Sequence, residues 1–227
     1  VKNLILLILF LSNSSVYAQK ISVGVGTELP LGVSADVIIQ PTDFNFYFRG
    51  QAGMFLSSYT DAMNSTAESF DFYNSATSEI IAASLENAPF WQINLGWAPN
   101  PAEGIYAEFS YLSVQGQGQV TGATILEAIS NTSLPAGSNY YDIEGKVQTL
   151  GINLGYKWQI KEGSTILLSG GVLKPIQSNT EISRDVTGPV QRALLDAANR
   201  ELDAYMKESL ENDVYIPVIA LHWLTQI

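Results

Sequence analysis

The chain has no cysteine, one histidine and, once its N-terminal stretch is set aside, no apolar run approaching eighteen residues. Without cysteine there are no disulfides and no thiolate chemistry, so an exported form must hold together by its backbone pairing and packing. A single histidine leaves little for a zinc site, and no nucleotide-binding loop, zinc-ligand spacing or serine-nucleophile elbow occurs. Catalytic residues, a metal site and a cofactor are therefore not expected, and no enzymatic activity is predicted. Basic residues are also scarce, 11 against 22 acidic ones for a formal charge of −11. That balance repels nucleic acid and favours cationic or basic partners.

What is present begins with an export pattern. Lys2 precedes the apolar run Leu4 to Leu11, polar Ser12 to Ser15 follow, and Val16, Tyr17 and Ala18 suit a signal peptidase. The run is too short to span a bilayer as a helix. The expected organisation is a signal peptide over 1–18 and a single outer-membrane barrel domain over 19–227.

Period-two alternation predicts eight strands, near 20–28, 31–40, 44–56, 89–98, 104–116, 144–160, 164–176 and 214–227. In the third, Phe44, Phe46, Phe48, Ala52 and Met54 share a face, and Asn45, Tyr47, Arg49 and Gln51 take the other. In the fourth, Trp91, Ile93, Leu95 and Trp97 oppose Gln92, Asn94 and Gly96. In the sixth, Leu150, Ile152, Leu154, Tyr156 and Trp158 oppose Gly151, Asn153, Gly155, Lys157 and Gln159. One face is large and apolar, the other small and polar. A soluble sandwich or lipocalin-like barrel would turn its apolar face inward and carry charge outside. Here the polar face is mostly Gly, Ser, Asn and Gln, which suits the narrow interior of a barrel whose apolar face meets lipid. The predicted fold is all-β, an eight-stranded antiparallel transmembrane β-barrel. Phe44, Trp91, Trp97, Trp158 and Trp223 are expected to form its interfacial aromatic girdle.

By parity Glu28, Asp36, Arg49, Glu108, Lys157 and His222 face inward. Unpaired charge in so narrow a bore is costly, so an interior network joining Arg49 and Lys157 to the acids is expected. His222 is read as a hydrogen-bonded interior group and the network as filling that blocks free passage.

The connections alternate short and long. Pro41 to Asp43, Ala98 to Glu103 and Lys161 to Gly163 read as tight periplasmic turns. An upper link at Leu29 and Pro30 and long loops near 57–88, 117–143 and 177–213 would be extracellular. The long loops carry the acidic excess: Asp61, Glu68, Asp71, Glu79 and Glu86 in the first, Glu127 and Asp142 in the second, and eight acids against four bases in the third. Within them, 190–210 reads as a helix with Pro189 at its first turn and a stripe of Leu195, Ala198, Leu202, Tyr205 and Met206. Shorter helices are predicted at 78–85 and 122–129. Their apolar residues Ile80, Ile81, Leu85, Ile125, Leu126 and Ile129 need cover, so the three helices are expected to pack together over the barrel mouth.

With this pattern, and with Ile219, Leu221, Trp223, Thr225 and Ile227 alternating in the terminal strand, the chain resembles the small eight-stranded outer-membrane barrels of Gram-negative bacteria, of OmpA-, OmpX- and OmpW-like architecture. The resemblance covers about 20–227 and rests on pattern, and the terminal Ile departs from the Phe usual in that class. It implies a multi-pass protein of the cell outer membrane, a monomer, in contact with lipid and lipopolysaccharide and delivered by the barrel assembly machinery. Roles in the class run from adhesion and anchoring to passage of small hydrophobic molecules and lipid A modification. The lipid A deacylase of this class places His and Ser together on one strand. His222 is followed by Thr225 and no serine, so that activity does not carry over. The reading is a porin-like cell-surface barrel with a structural or partner-binding role. The alternative is a narrow channel for small apolar or cationic solutes, and a lipid-modifying enzyme is a third and weaker reading.

Overall fold

The computed structural model describes residues 19–41, 44–56, 75–100, 102–130, 139–183, 189–211 and 214–227. The proposed signal peptide, the tip Thr42–Asp43 and the acids Asp61, Glu68, Asp71, Asp185 and Asp213 lie outside them.

Eight strands form one closed antiparallel barrel in sequence order. They are β1 (Gln19–Leu29), β2 (Gly32–Pro41), β3 (Phe46–Phe55), β4 (Pro89–Trp97), β5 (Gly104–Thr121), β6 (Tyr140–Lys161), β7 (Ser164–Ser183) and β8 (Ile216–Gln226). Pairing of β1 with β8, from Ser22↔Gln226 to Leu29↔Ile219, shuts the sheet. Closure gives every strand two partners, the condition for a sheet to cross hydrocarbon.

The side-chain alternation follows the sequence expectation. The wall exposes Val25, Phe48, Ile93, Phe109, Leu154 and Ile219, with Leu154 65 % exposed. Such a continuous apolar exterior is stable in lipid and would aggregate in water. Trp97, Trp158 and Trp223 lie near the short-turn end of their strands, with Phe44 just before β3, and Trp91 sits at the opposite end of β4. Tyr156 stacks obliquely on Trp158 at 4.7 Å and Trp91 on Tyr111 at 5.4 Å. The Trp223 indole N–H donates to Ser164 Oγ at 2.7 Å.

Three strands are longer than the sequence suggests. β5, β6 and β7 run to Thr121, from Tyr140 and to Ser183, well past the expected limits at 116, 144 and 176. Asp142 and Glu181, read as loop acids, therefore stand on strands. On these extensions the outer face turns polar, with Gln115 bonded to Glu144 at 2.6 Å and Gln119 to Asp142 at 2.8 Å. The apolar wall thus stops where water begins, and β5–β7 continue as a tall screen on one side of the barrel.

Three helices pack against the inner side of this screen: α1 (Ser75–Leu85), α2 (Gly122–Ser130) and α3 (Pro189–Glu211). Thr121 caps α2 by accepting from the Thr124 N–H at 3.2 Å. Asn87, in the left-handed region at φ 56°, turns the chain after α1. Ile80, Ile81, Ile125, Ala128, Leu202 and Met206 join in one buried cluster on Val120, Ile143 and Ile182 of the screen. α1 can lie this close because Gly116 and Gly118 face it; a Cβ at either would strike the Ser84 or Ala83 carbonyl. No helix among the described residues is long and apolar enough to cross a membrane.

α3 does more than cover apolar surface. β8 pairs with β7 only up to Ile216↔Leu173, which leaves the upper edge of β7 without a strand partner among the described residues. Side chains of α3 take that place. Asp203 accepts from the Thr180 N–H at 3.1 Å, Glu211 from the Ser178 N–H at 2.7 Å, and Asn199 bonds both the N–H and the carbonyl of Ile182. An open strand edge is thereby blocked to further pairing.

Candidate functional site

Along the bore, side chains form layers. Near the short turns Ile38, Tyr47, Tyr106, Leu167 and Leu224 close an apolar layer. Near the helices Leu31, Phe55, Phe90, Leu112, Leu173 and Val218 close another, with Phe55 and Phe90 edge to face at 5.8 Å. Between them lies a polar layer containing five of the six inward residues singled out in the sequence.

Arg49, 1 % exposed, donates through Nη2 to Glu108 Oε2 at 2.7 Å, and the Tyr47 hydroxyl donates to Glu108 Oε1 at 2.8 Å. His222 Nδ1 lies 2.8 Å from Asp36 Oδ2. Its Nε2 is 3.2 Å from Glu28 Oε1, off the line of a good hydrogen bond. Gln51 donates to Glu28 at 2.6 Å, Asn94 to Gln51 at 2.6 Å and Gln92 to Asn94 at 2.8 Å. A chain of amides thus borders the charged groups on β3 and β4. His222 and Arg49 thus lie among three buried carboxylates, Glu28, Asp36 and Glu108.

Lys157 stands apart from this group. It pairs in register with Gly104, toward the short-turn end, whereas Glu108 pairs with Asn153. Its inward parity is as expected, but its place on β6 puts it outside the Arg49 layer. Gln51, Gln92, Asn94 and Tyr47 belong to the network although the sequence marked them only as inward polar residues. Their signal was the run of inward amides on two adjacent strands.

Above the second apolar layer, between the helices and the barrel mouth, is a cavity of about 390 Å³. A wider concavity of about 850 Å³ lies on the outer wall, where Ala35 and Ala52 leave a hollow between Met54, Ile166 and Trp223. It faces lipid, and His222 of the polar layer is among the residues that border it. Among the described residues no group of three or more His, Cys, Asp or Glu is arranged to hold a metal ion.

A closed eight-stranded antiparallel barrel, with an apolar exterior and a polar layer within, is a membrane barrel of the outer-membrane type, a multi-pass architecture. A solved structure agrees at the level of fold. A major outer membrane protein from Thermus thermophilus is similar over 92 % of this chain and 100 % of that chain, at 12 % identity and a TM-score of 0.50. CarO from Acinetobacter baumannii aligns over 91 % of this chain and 97 % of that chain, at 10 % identity and a TM-score of 0.33. No protein-family model and no curated protein matches the sequence.

Proposed function

We propose that this chain is a non-enzymatic surface barrel of the outer membrane, sealed to ions, whose helix-covered mouth serves binding in place of passage. The observation that carries the reading is the layered filling of the bore, in which the Arg49–Glu108 and His222–Asp36 pairs sit between two apolar layers. Hydrated ions would have to break buried ion pairs and cross both layers. Export and the barrel assembly machinery follow from the same reading, with the helices outside the cell and lipopolysaccharide around the wall. The tall screen adds a reason to expect a cationic partner: Glu144 and Glu181 lie directly opposite each other on its exposed outer face, next to Asp142. Like charges so placed are destabilising until a cation or a basic group joins them.

The second reading is a narrow path for small apolar or cationic solutes. It is favoured by polar atoms in the central layer that have no protein partner, among them Arg49 Nε and Nη1, Asp36 Oδ1 and Ser110 Oγ. Planar-bilayer recording on the purified protein, intact and with the 177–213 segment shortened, separates the two. Silence in both forms is the expected result. Steady single-channel events from the intact protein would transfer the reading to transport.

A further inference from the structure

The barrel wall is uneven at the end that carries the helices. β7 continues to Ser183, whereas β8 begins at Ile216 and β1 turns into β2 between Leu29 and Gly32. Above the β8–β1 seam there is therefore no strand among the described residues, and the 390 Å³ cavity occupies this gap. Its inner wall includes Leu31, Phe55 and Leu112 of the barrel and Ile81, Leu85 and Leu210 of the helices. Leu29, Pro30, Tyr215 and Ile219 also border it. Leu29 and Ile219 are cross-strand partners in the outward, lipid-facing row, 47 % and 60 % exposed. One apolar space thus joins the inside of the barrel mouth to its outer wall.

The geometry points to a binding site for a single unbranched aliphatic chain, admitted sideways over the β8–β1 seam. This goes beyond the sealed-bore reading and rests on it only where the cavity stops, at the filled interior beneath. The lining supports the ligand class. Among the described residues that border the cavity, Lys146 and Tyr215 are the ionisable ones, and the remainder is dominated by Leu, Ile, Val, Phe, Met and Pro. A sugar, nucleotide or hydrated ion would lose its water there without replacement. Size sets the length: an apolar cavity of about 150 Å³ accommodates benzene, so this one has room for a chain of roughly fifteen carbons. Continuity with the lipid-facing row supplies the route, because an acyl chain or a dissolved alkanol already resides against Leu29 and Ile219. The walls come from three parts of the chain that meet only in the fold, so the cavity needs the helices in place.

An aliphatic chain could come from a bilayer lipid or arrive as a free molecule, and the test separates them. Folded full-length protein would be studied by native mass spectrometry with two probes, 1-dodecanol and dimyristoylphosphatidylethanolamine. Leu85→Trp and Leu210→Trp fill the cavity from α1 and α3, and Ile93→Trp adds the same bulk to the remote outer wall. One dodecanol equivalent, weakened roughly tenfold or more by both cavity variants and unchanged by Ile93→Trp, supports a free aliphatic ligand. One retained phosphatidylethanolamine with the same dependence supports a lipid chain reaching in from the bilayer. Binding of many equivalents, or binding alike in all four proteins, overturns the site. The heat-modifiable gel shift of each variant reports that the barrel is folded. Conductance is a separate readout: a conducting protein that binds dodecanol refutes the sealed bore and leaves this site standing, and a silent protein that binds neither probe does the reverse.

Discussion

The Asn199 carboxamide on α3 holds both backbone groups of Ile182 on β7, donating to the carbonyl at 2.8 Å and accepting from the N–H. A side chain thereby does what a neighbouring strand would do. Asn199→Ala leaves both groups without that partner, at a cost of about 1–3 kcal/mol per unsatisfied donor or acceptor. Limited proteolysis of the folded protein should then cut near α3 much faster than in the unaltered protein, with the barrel still heat-modifiable. Equal cleavage rates would mean that the apolar contacts of Leu202 and Met206 hold the helix unaided.

A neighbour of Asn199 on the same helix offers an electrostatic check. Asp203 accepts from the Thr180 N–H and also from Lys207 Nζ at 2.7 Å, and that hydrogen bond raises the Lys207 pKa. Lys207 is exposed, so Lys207→Gln should change stability hardly at all. Asp203→Asn, which keeps one acceptor for Thr180, should be milder in the same proteolysis assay than Asp203→Ala. If the two were equally damaging, the bond to β7 would not be what matters.

Arg49→Leu leaves Glu108 buried without its counter-charge, and removing one partner of a buried pair typically costs about 3–5 kcal/mol. The denaturant midpoint of the refolded barrel should fall accordingly. The double variant Arg49→Leu/Glu108→Leu should recover much of that loss, since apolar replacement of a whole buried pair is often neutral. Tyr47→Phe removes a single hydrogen bond to Glu108 and should cost about 1 kcal/mol. An unchanged midpoint in Arg49→Leu would argue against a structural role for the pair.

Gly116→Val tests the approach of α1 to the screen. The added side chain meets the Ser84 carbonyl, a backbone atom that cannot rotate away. Overpacking of this kind costs about 1–3 kcal/mol. Loss should appear in hydrogen exchange of α1 amides while those of β1–β4 stay protected. Uniform loss across the barrel would show that helices and wall unfold together.

Cell fractionation addresses placement directly. The protein should sediment with outer membranes, resist extraction by salt and migrate differently on gels before and after boiling. Release into the soluble fraction by mild osmotic shock would contradict a wall whose exterior is Leu, Ile, Val and aromatic residues.

The barrel was legible in the sequence wherever one face met lipid. Phe46 to Phe55, Pro89 to Trp97 and Ile216 to Gln226 carry a strong alternation, because lipid selects large apolar groups and a narrow bore selects small polar ones. Legibility failed where the strands left the membrane. Gln115, Gln117 and Gln119 face water, and Gly116 and Gly118 receive a helix between Val114 and Val120, so neither face of upper β5 shows an unbroken apolar signal. The helices were clear from their own stripes, within a few residues at each end. Inward parity picked out Arg49, Glu108, Glu28, Asp36 and His222, but it gives no height, which is why Lys157 was grouped with residues of a different layer. The role of Asp203 and Glu211 was hidden for a related reason. An acid that caps a strand edge across the fold looks in sequence like any acid on a solvated helix.

The β8–β1 seam joins the two most distant parts of the chain, with Ser22 against Gln226, and so carries the largest loop-closure cost in the barrel. α3 precedes β8 in the chain and already occupies the place beside β7 that an eighth strand of full length would have taken. The short last strand is thus matched to the helix before it. The pairing that closes the barrel therefore also sets the height of its lowest rim among the described residues, the place where the proposed aliphatic chain would pass.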